Sequence, residues 1–327
     1  MSYLRRARII TAGRRLRPRT PEPPPAPFIC GVTRSGTTLF RLMLDSHPEL
    51  AIPGETHFVP ALIKRVERHK PHPDELTGLI VGHKRWGDFH LEPHDLRARL
   101  RAIDPLTAGD ALRAFYMLYA EKHEKSRYGD KTPGYLRDMP RIQRVLPEAR
   151  FIHIVRDGRD VALSVLKMNW GPATVTEAAE LWVERITKAR TLEPKTNHYI
   201  EQRFEDLLTE TEATLRRACE FIDLEFDPVM LDYHERAEER LQEKARDLPR
   251  SNRPDQPAEL RMKSHELAKE RPKAERTALW RTQMSASDRE EYERIAAPLL
   301  AEFGYPVGEE AAQAAAAAPA GLEAASR

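Results

Sequence analysis

Residues 28–55 read FICGVTRSGTTLFRLMLDSHPELAIPGE, and this stretch decides the fold. The apolar run Phe28-Ile29-Cys30 is long enough for a buried strand. Gly31-Val32-Thr33-Arg34-Ser35-Gly36-Thr37-Thr38 follows, and then a helical pattern with Leu39, Leu42, Met43 and Leu44 on one side, stopping near His47-Pro48. Strand, glycine-bounded loop and helix together form the layout of a phosphate-binding loop. Glycines let the backbone turn tightly and aim its N–H groups at an anion. The helix N-terminus adds unpaired donors and positive dipole. The position that carries lysine in a nucleotide-triphosphate loop is Thr37, so Arg34 inside the loop supplies the charge instead. This spacing points to an anion other than a nucleoside triphosphate. The plainer alternative is a Ser/Thr-capped helix after ordinary turn glycines.

Outward from this stretch, strands and helices alternate. Leu50-Ala51-Ile52 reads as a short strand, Arg150 to Val155 as a strongly apolar one, and Tyr199-Ile200 with Phe204 as another. Helical patterns are expected near 58–68, 93–103, 108–125, 136–145, 161–167, 176–192, 211–222 and 287–303. The expected fold is α/β: a P-loop-like three-layer arrangement with a central parallel sheet, helices on both faces, and a helical insertion. Residues 28–306 form the domain, and 56–127 form the acceptor-side insertion, with 69–92 irregular. The Ala/Glu-rich tail 307–327 and the charged segment 241–278 read as disordered and mobile, respectively.

Seven arginines lie between Arg5 and Arg19, ahead of a proline cluster, so residues 1–27 read as a basic, disordered tail and linker. Tyr3, Leu4, Ile9 and Ile10 give it an alternative as a weak membrane-surface contact. The chain's 40% apolar content suffices for a core, and its net charge of +2 gives no sign of a nucleic-acid partner. Cys30 and Cys219 both fall in apolar patterns and read as buried thiols, which suits a reducing, cytoplasmic setting. The histidines and cysteines show no metal-ligand spacing, so no metal is expected. In IVRDGRDVALS, Arg156 ends a strand and Ser164 lies about two turns into the next helix, which can place both on one phosphate. Glu55, after Pro53-Gly54, is the candidate base for an acceptor hydroxyl, with an exposed turn carboxylate as the alternative.

TRSGTT followed by a helix and HPEL resembles the 5′-phosphosulfate loop of sulfotransferases, in particular the bacterial and tyrosylprotein-type branch. The resemblance runs from about Phe28 to Tyr305, carried by four or five short blocks. It implies 3′-phosphoadenosine-5′-phosphosulfate (PAPS) as sulfuryl donor and a hydroxyl, less readily an amine, as acceptor. Arg34, Ser35, Gly36, Thr37 and Thr38 would hold the 5′-phosphosulfate, and Arg156 with Ser164 the 3′-phosphate. PGET resembles the block whose glutamate acts as base, here Glu55, and GDKTP the block whose lysine steadies the leaving phosphate, here Lys131. Phe204-Glu205-Asp206-Leu207 is similar to a YEDL block but has phenylalanine for tyrosine, which loses a hydroxyl beside adenine. The block from His265 through Trp280 resembles a late lysine-bearing loop that closes over the donor, with Lys269 as its candidate lysine. A P-loop nucleotide kinase and a non-catalytic nucleotide-binding protein are the rivals. A sugar, lipid, phenol or peptide hydroxyl would all satisfy the sequence.

Overall fold

The computed structural model describes residues 23–249, 254–263 and 265–317. The basic tail up to residue 22, and with it the expected membrane contact, lies outside the described residues. In chain order the strands are β1 (Ala26–Gly31), β2 (Leu50–Ala51), β3 (Arg127–Tyr128), β4 (Asp130–Lys131), β5 (Ala149–Val155) and β6 (Tyr199–Arg203). β4, β1, β5 and β6 lie side by side in that order, all parallel, while β2 and β3 pair separately. The register sets Phe28 against Phe151 and Ile29 against both Ile152 and Lys131.

Both faces of this sheet are covered, so its central strands are apolar along their length. Successive residues point to opposite faces. Phe28, Cys30 and Phe151 enter one core with α2 (Val59–Arg68), α3 (Pro73–Val81), α4 (Pro93–Arg101), α5 (Ala108–Lys122) and α6 (Met139–Val145). Ile29, Ile152 and Ile154 enter a second core. Its helices are α1 (Thr37–Asp45), α9 (Phe204–Thr209), α10 (Thr211–Phe221) and α11 (His234–Gln242). Val32 and Val155 meet a third core built on α7 (Gly158–Val165), α8 (Val175–Leu192) and α14 (Ala286–Glu302). The three-layer α/β arrangement expected from the sequence is therefore the observed one.

Three expectations need correction. Residues 69–92 are not wholly irregular, because α3 forms there and buries Leu76 and Ile80. The tail beyond 307 is helical over Gly308–Ala316 (α15), with Ala311 buried and the Gly308 N–H donating to Glu293 Oε2 at 2.9 Å. The described residues of 241–278 are packed in part, because several of their charges find partners inside the protein instead of water. Arg240 Nε meets Asp45 Oδ2 at 2.6 Å, and Arg240 also donates to Glu243 Oε1 at 2.7 Å. Glu243 accepts from Arg41 at 3.2 Å and from the Tyr119 hydroxyl at 2.7 Å. Further along, α12 (Ala258–Lys263) is tied down by Arg261, whose guanidinium meets Asp88 Oδ2 at 2.5 Å.

Removing one member of a buried charge network leaves the others uncompensated. Arg240→Ala should therefore lower unfolding stability by about 3–5 kcal/mol. Urea denaturation measures this, and a loss below about 1 kcal/mol, the scale of a surface pair, would show that the network does not anchor the segment.

Candidate active site

Every strand of the main sheet delivers one part of the site at its carboxyl end. β1 runs into the loop 32–36, β4 ends on Lys131, β5 is followed by Arg156, and β6 by Phe204. This is where a parallel α/β sheet gathers ligands. Within the loop, Arg34 (φ 75°) and Gly36 (φ 90°) adopt left-handed conformations. Gly36 is required here, because a Cβ would lie 2.1 Å from the Phe204 ring. The Ser35 hydroxyl is buried without a hydrogen-bond partner, as is Arg156 Nε. Such orphaned donors are rare in a finished core.

The loop 32–36 meets the turn and helix that follow β5. Arg34 Nε donates to Ser164 Oγ at 2.9 Å, and Arg156 donates to the Arg34 carbonyl at 3.3 Å. The Arg156 guanidinium stands 4.7 Å over the Phe204 ring centre. A cavity lined by Arg34, Thr37, Thr38, Arg156 and Phe204 extends to Leu208 and Leu279. Lys131 Nζ bonds Glu55 Oε1 at 2.9 Å and reaches Thr38 Oγ1 at 3.4 Å. The other Glu55 oxygen accepts from Arg85 at 3.1 Å and bonds His57 at 2.9 Å. The structure thus brings Glu55, Lys131, Arg34, Thr37, Thr38, Arg156, Ser164 and Phe204 to one edge. Lys269 is not among the residues lining this cavity. Its ammonium pairs with Glu238 at 3.3 Å and Glu266 at 3.2 Å, whereas Lys263, His265, Ala268 and Arg276 of the same segment line the cavity.

Sequence reasoning missed Lys244 and Arg85. Lys244 is 2% exposed, and its ammonium approaches His265 Nε2 at 3.4 Å. The one available signal was a lysine directly after the Arg240–Glu243 helix end. Burial, then repulsion from Lys131, pushes the Lys244 ammonium well below the usual lysine value. Burial and Lys244 likewise push His265 well down. Burial also lowers Lys131, against the opposing pull of Glu55. Burial alone would raise the Glu55 carboxyl. Lys131, Arg85, the His57 hydrogen bond and Lys244 together outweigh it and hold Glu55 well below the ordinary carboxylate range.

Two open clefts flank Glu55. One, of about 820 Å³, is lined by Pro133, Leu136, Val165, Trp170 and Leu181. The other, of about 940 Å³, carries Arg85, Lys167, Lys244, Lys263 and His265. Of the expected acceptor-side insertion, only His57 and Arg85 reach either cleft. Its aromatic residues pack on one another instead, with the Phe58 and Phe115 rings 5.0 Å apart, edge to face.

A family model described as the sulfotransferase family matches residues 25–228. The chain belongs to the sulfotransferase family. A putative protein-tyrosine sulfotransferase of Caenorhabditis briggsae is 27% identical over 216 residues, covering 64% of this chain and 69% of the relative. Protein-tyrosine sulfotransferase A of Caenorhabditis elegans is 25% identical over 225 residues, covering 64% of this chain. The match spans about half (52%) of that relative's length. The sulfotransferase domain from the Synechococcus PCC 7002 olefin synthase superposes with a TM-score of 0.55 at 21% identity, covering 89% of this chain and 98% of that one. That likeness supports the sulfotransferase fold, and family membership makes the chain a transferase. Among the described residues, no helix is long and apolar enough to cross a membrane.

If Lys131 is the main charge holding Glu55 low, Lys131→Met should shift the Glu55 carboxyl upward. A carboxyl-carbon NMR titration of parent and variant reads the shift. An unchanged Glu55 midpoint would assign the effect to Arg85 and His57 instead.

Proposed function

We propose that this sulfotransferase moves a sulfuryl group from PAPS to an acceptor hydroxyl at Glu55. The observation that carries this reading is the convergence of Arg34, Ser164, Arg156 and Phe204 on one glycine loop. The orphaned Ser35 hydroxyl and Arg156 Nε fit a bound anion that supplies their missing acceptors. Arg34 with the loop N–H groups would hold the 5′-phosphosulfate, Arg156 with Ser164 the 3′-phosphate, and Phe204 the face of the adenine. Arg276 and Leu279 of the late segment extend that wall, in place of the expected Lys269.

PAPS supplies an activated sulfuryl group whose S–O bond to phosphate breaks in transfer. The chain's residues then have two tasks. Glu55 takes the proton from the acceptor hydroxyl as its oxygen bonds to sulfur. Lys131, with Arg34, neutralises the charge gathering on the departing phosphate oxygen. The Glu55–Lys131 pair couples these tasks. While Lys131 pairs with it, Glu55 is ionised but weakly basic. Once Lys131 turns to the donor's anion, Glu55 becomes a stronger base beside the acceptor. The hydroxyl-bearing acceptor enters through one of the two clefts that share Glu55. The relatives' name, protein-tyrosine sulfotransferase, makes a phenolic hydroxyl the first acceptor to try.

Arg34→Ala and Arg156→Ala should each weaken binding of 3′,5′-bisphosphoadenosine by about 1.5–3 kcal/mol, the scale of a hydrogen bond to a charged group. Calorimetry that finds both variants binding like the parent would remove the donor assignment. Glu55→Gln keeps the shape but removes the base, so single-turnover transfer to a tyrosine peptide should fall by about 10²–10⁴. Near-parental turnover in that variant would end the assignment of Glu55. Transfer should also survive a chelator, whereas loss in EDTA restored by magnesium would favour metal-assisted phosphoryl chemistry.

A further inference from the structure

Behind the Glu55–Lys131 pair lies a buried polar network that the transfer chemistry does not use. Glu55 is followed by Thr56, and Lys131 is preceded by Asp130. The two pairs run side by side: Glu55 meets Lys131 at 2.9 Å, and Thr56 Oγ1 donates to Asp130 Oδ2 at 2.7 Å. Because β4 alternates, Asp130 and Lys131 point to opposite faces. Lys131 faces Glu55 and Thr38, and Asp130 faces the helical insertion. There the Tyr116 hydroxyl, from α5, donates to Asp130 Oδ2 at 2.9 Å. The Tyr135 hydroxyl bonds Thr56 Oγ1 at 2.7 Å, and the Thr56 N–H donates to Thr132 Oγ1 at 3.1 Å. Asp130, Thr56, Thr132, Tyr116 and Tyr135 are all buried.

A fully buried carboxylate whose Oδ1 has no hydrogen-bond partner is an expensive way to hold a fold together. What it offers is direction. Asp130 fixes Thr56, and Thr56 is covalently next to the candidate base. We infer that the Thr56–Asp130 hydrogen bond is a buckle that sets the spacing of Glu55 and Lys131, which makes Asp130 a positioning residue of sulfuryl transfer. The roles of Glu55 and Lys131 rest on the proposed function, whereas the buckle itself is a property of the fold.

The buckle depends on charge. Burial raises the Asp130 carboxyl to about 6, against the hydrogen bonds from Thr56, Thr132 and Tyr116 and the nearby charge of His57. The other titratable groups facing it are Tyr135 and the Cys30 thiol of β1, both of which Asp130 helps to push up. Above about pH 6 the carboxylate accepts from Thr56 as a charge-assisted bond. Below it the neutral group holds Thr56 about half as strongly. The sign for stability is opposite. A folded-state value raised above the ordinary one favours the fold at low pH, and that contribution is lost as pH rises through about 6. Acid should therefore slow transfer while Asp130's own contribution to stability improves.

The test uses Asp130→Ala, Thr56→Val and Asp130→Asn in the full chain, with melting temperature recorded for each. In the first two, the Glu55 carboxyl, followed by carbon NMR, should titrate closer to its ordinary value than in the parent. Transfer from PAPS to a tyrosine peptide should lose about 10- to 100-fold in kcat, the cost of a misplaced catalytic group, with the dissociation constant of 3′,5′-bisphosphoadenosine within about twofold of the parent, too small a change to count as a lost contact. Asp130→Asn still offers an oxygen to both hydroxyls, so it should recover most of the loss. It should also lack the part of the parent's acid limb near pH 6 that Asp130 supplies. A Glu55 midpoint unchanged in folded Asp130→Ala and Thr56→Val would overturn the buckle. So would a kcat loss that merely follows melting temperature, or identical acid limbs in parent and Asp130→Asn. If the parent fails to bind 3′,5′-bisphosphoadenosine, the donor reading falls, and the Glu55 titration still decides the buckle.

Discussion

Positive charge buried beside a single carboxylate is the constraint on which this structure depends. Lys131 is 0% exposed and Lys244 2%, and Arg85 and Arg41 stand close enough to bear on both. Glu55 is the acid that holds Lys131 at contact distance. Taking an ammonium out of water is costly unless it is paired, and two of them near one carboxylate leave an excess. The polyanionic donor proposed for the loop would relieve that excess. The same feature explains why Glu55 is so acidic and why Lys244 and His265 are driven toward their neutral forms.

Holding such a cluster together requires anchors away from it. The Asp45–Arg240–Glu243 network supplies one, tying α1, which begins at the loop 32–36, to α11, which ends just before Lys244. Arg261 on Asp88 supplies another, fixing α12 beside the basic cleft. On the opposite side of β4, Asp130 and its hydroxyl partners hold the turn that carries Glu55. The aromatic residues of the insertion pack on one another in a buried core, which explains why so little of it reaches the clefts.

Much of the fold and of the site's inner part was legible in the sequence, because both are local. A strand, a loop and a helix within 28–45 have the layout of a phosphate-binding loop, and Arg156 and Ser164 fall in one strand-to-helix turn. Glu55 and Lys131 were readable as short blocks of known type. Lys244 was not, because its segment has the charge and proline content of a solvated linker, and in the late block read by resemblance as a donor loop it is His265 and Arg276, not the expected Lys269, that line the cavity. What packs it is pairing at long range: Arg240 finds Asp45 195 residues away, and Arg261 finds Asp88 173 residues away. No local period encodes such pairs. Lys269 shows the same limit on a small scale. It shares its segment with Lys263 and His265, yet Glu238 and Glu266 draw it to the other side. The helix Gly308–Ala316 has the composition of a low-complexity tail, and what holds its start is Glu293, which accepts from the Gly308 N–H.

The most direct test of the donor reading is a melt of the full chain with 3′,5′-bisphosphoadenosine in the absence of metal, beside one with ATP and magnesium. A ligand at about 100 times its dissociation constant adds about 2.7 kcal/mol to the folded state. The bisphosphate should raise the melting temperature by several degrees without metal, and ATP with magnesium should raise it far less. Stabilisation by ATP with magnesium alone, with no response to the bisphosphate, would contradict the account.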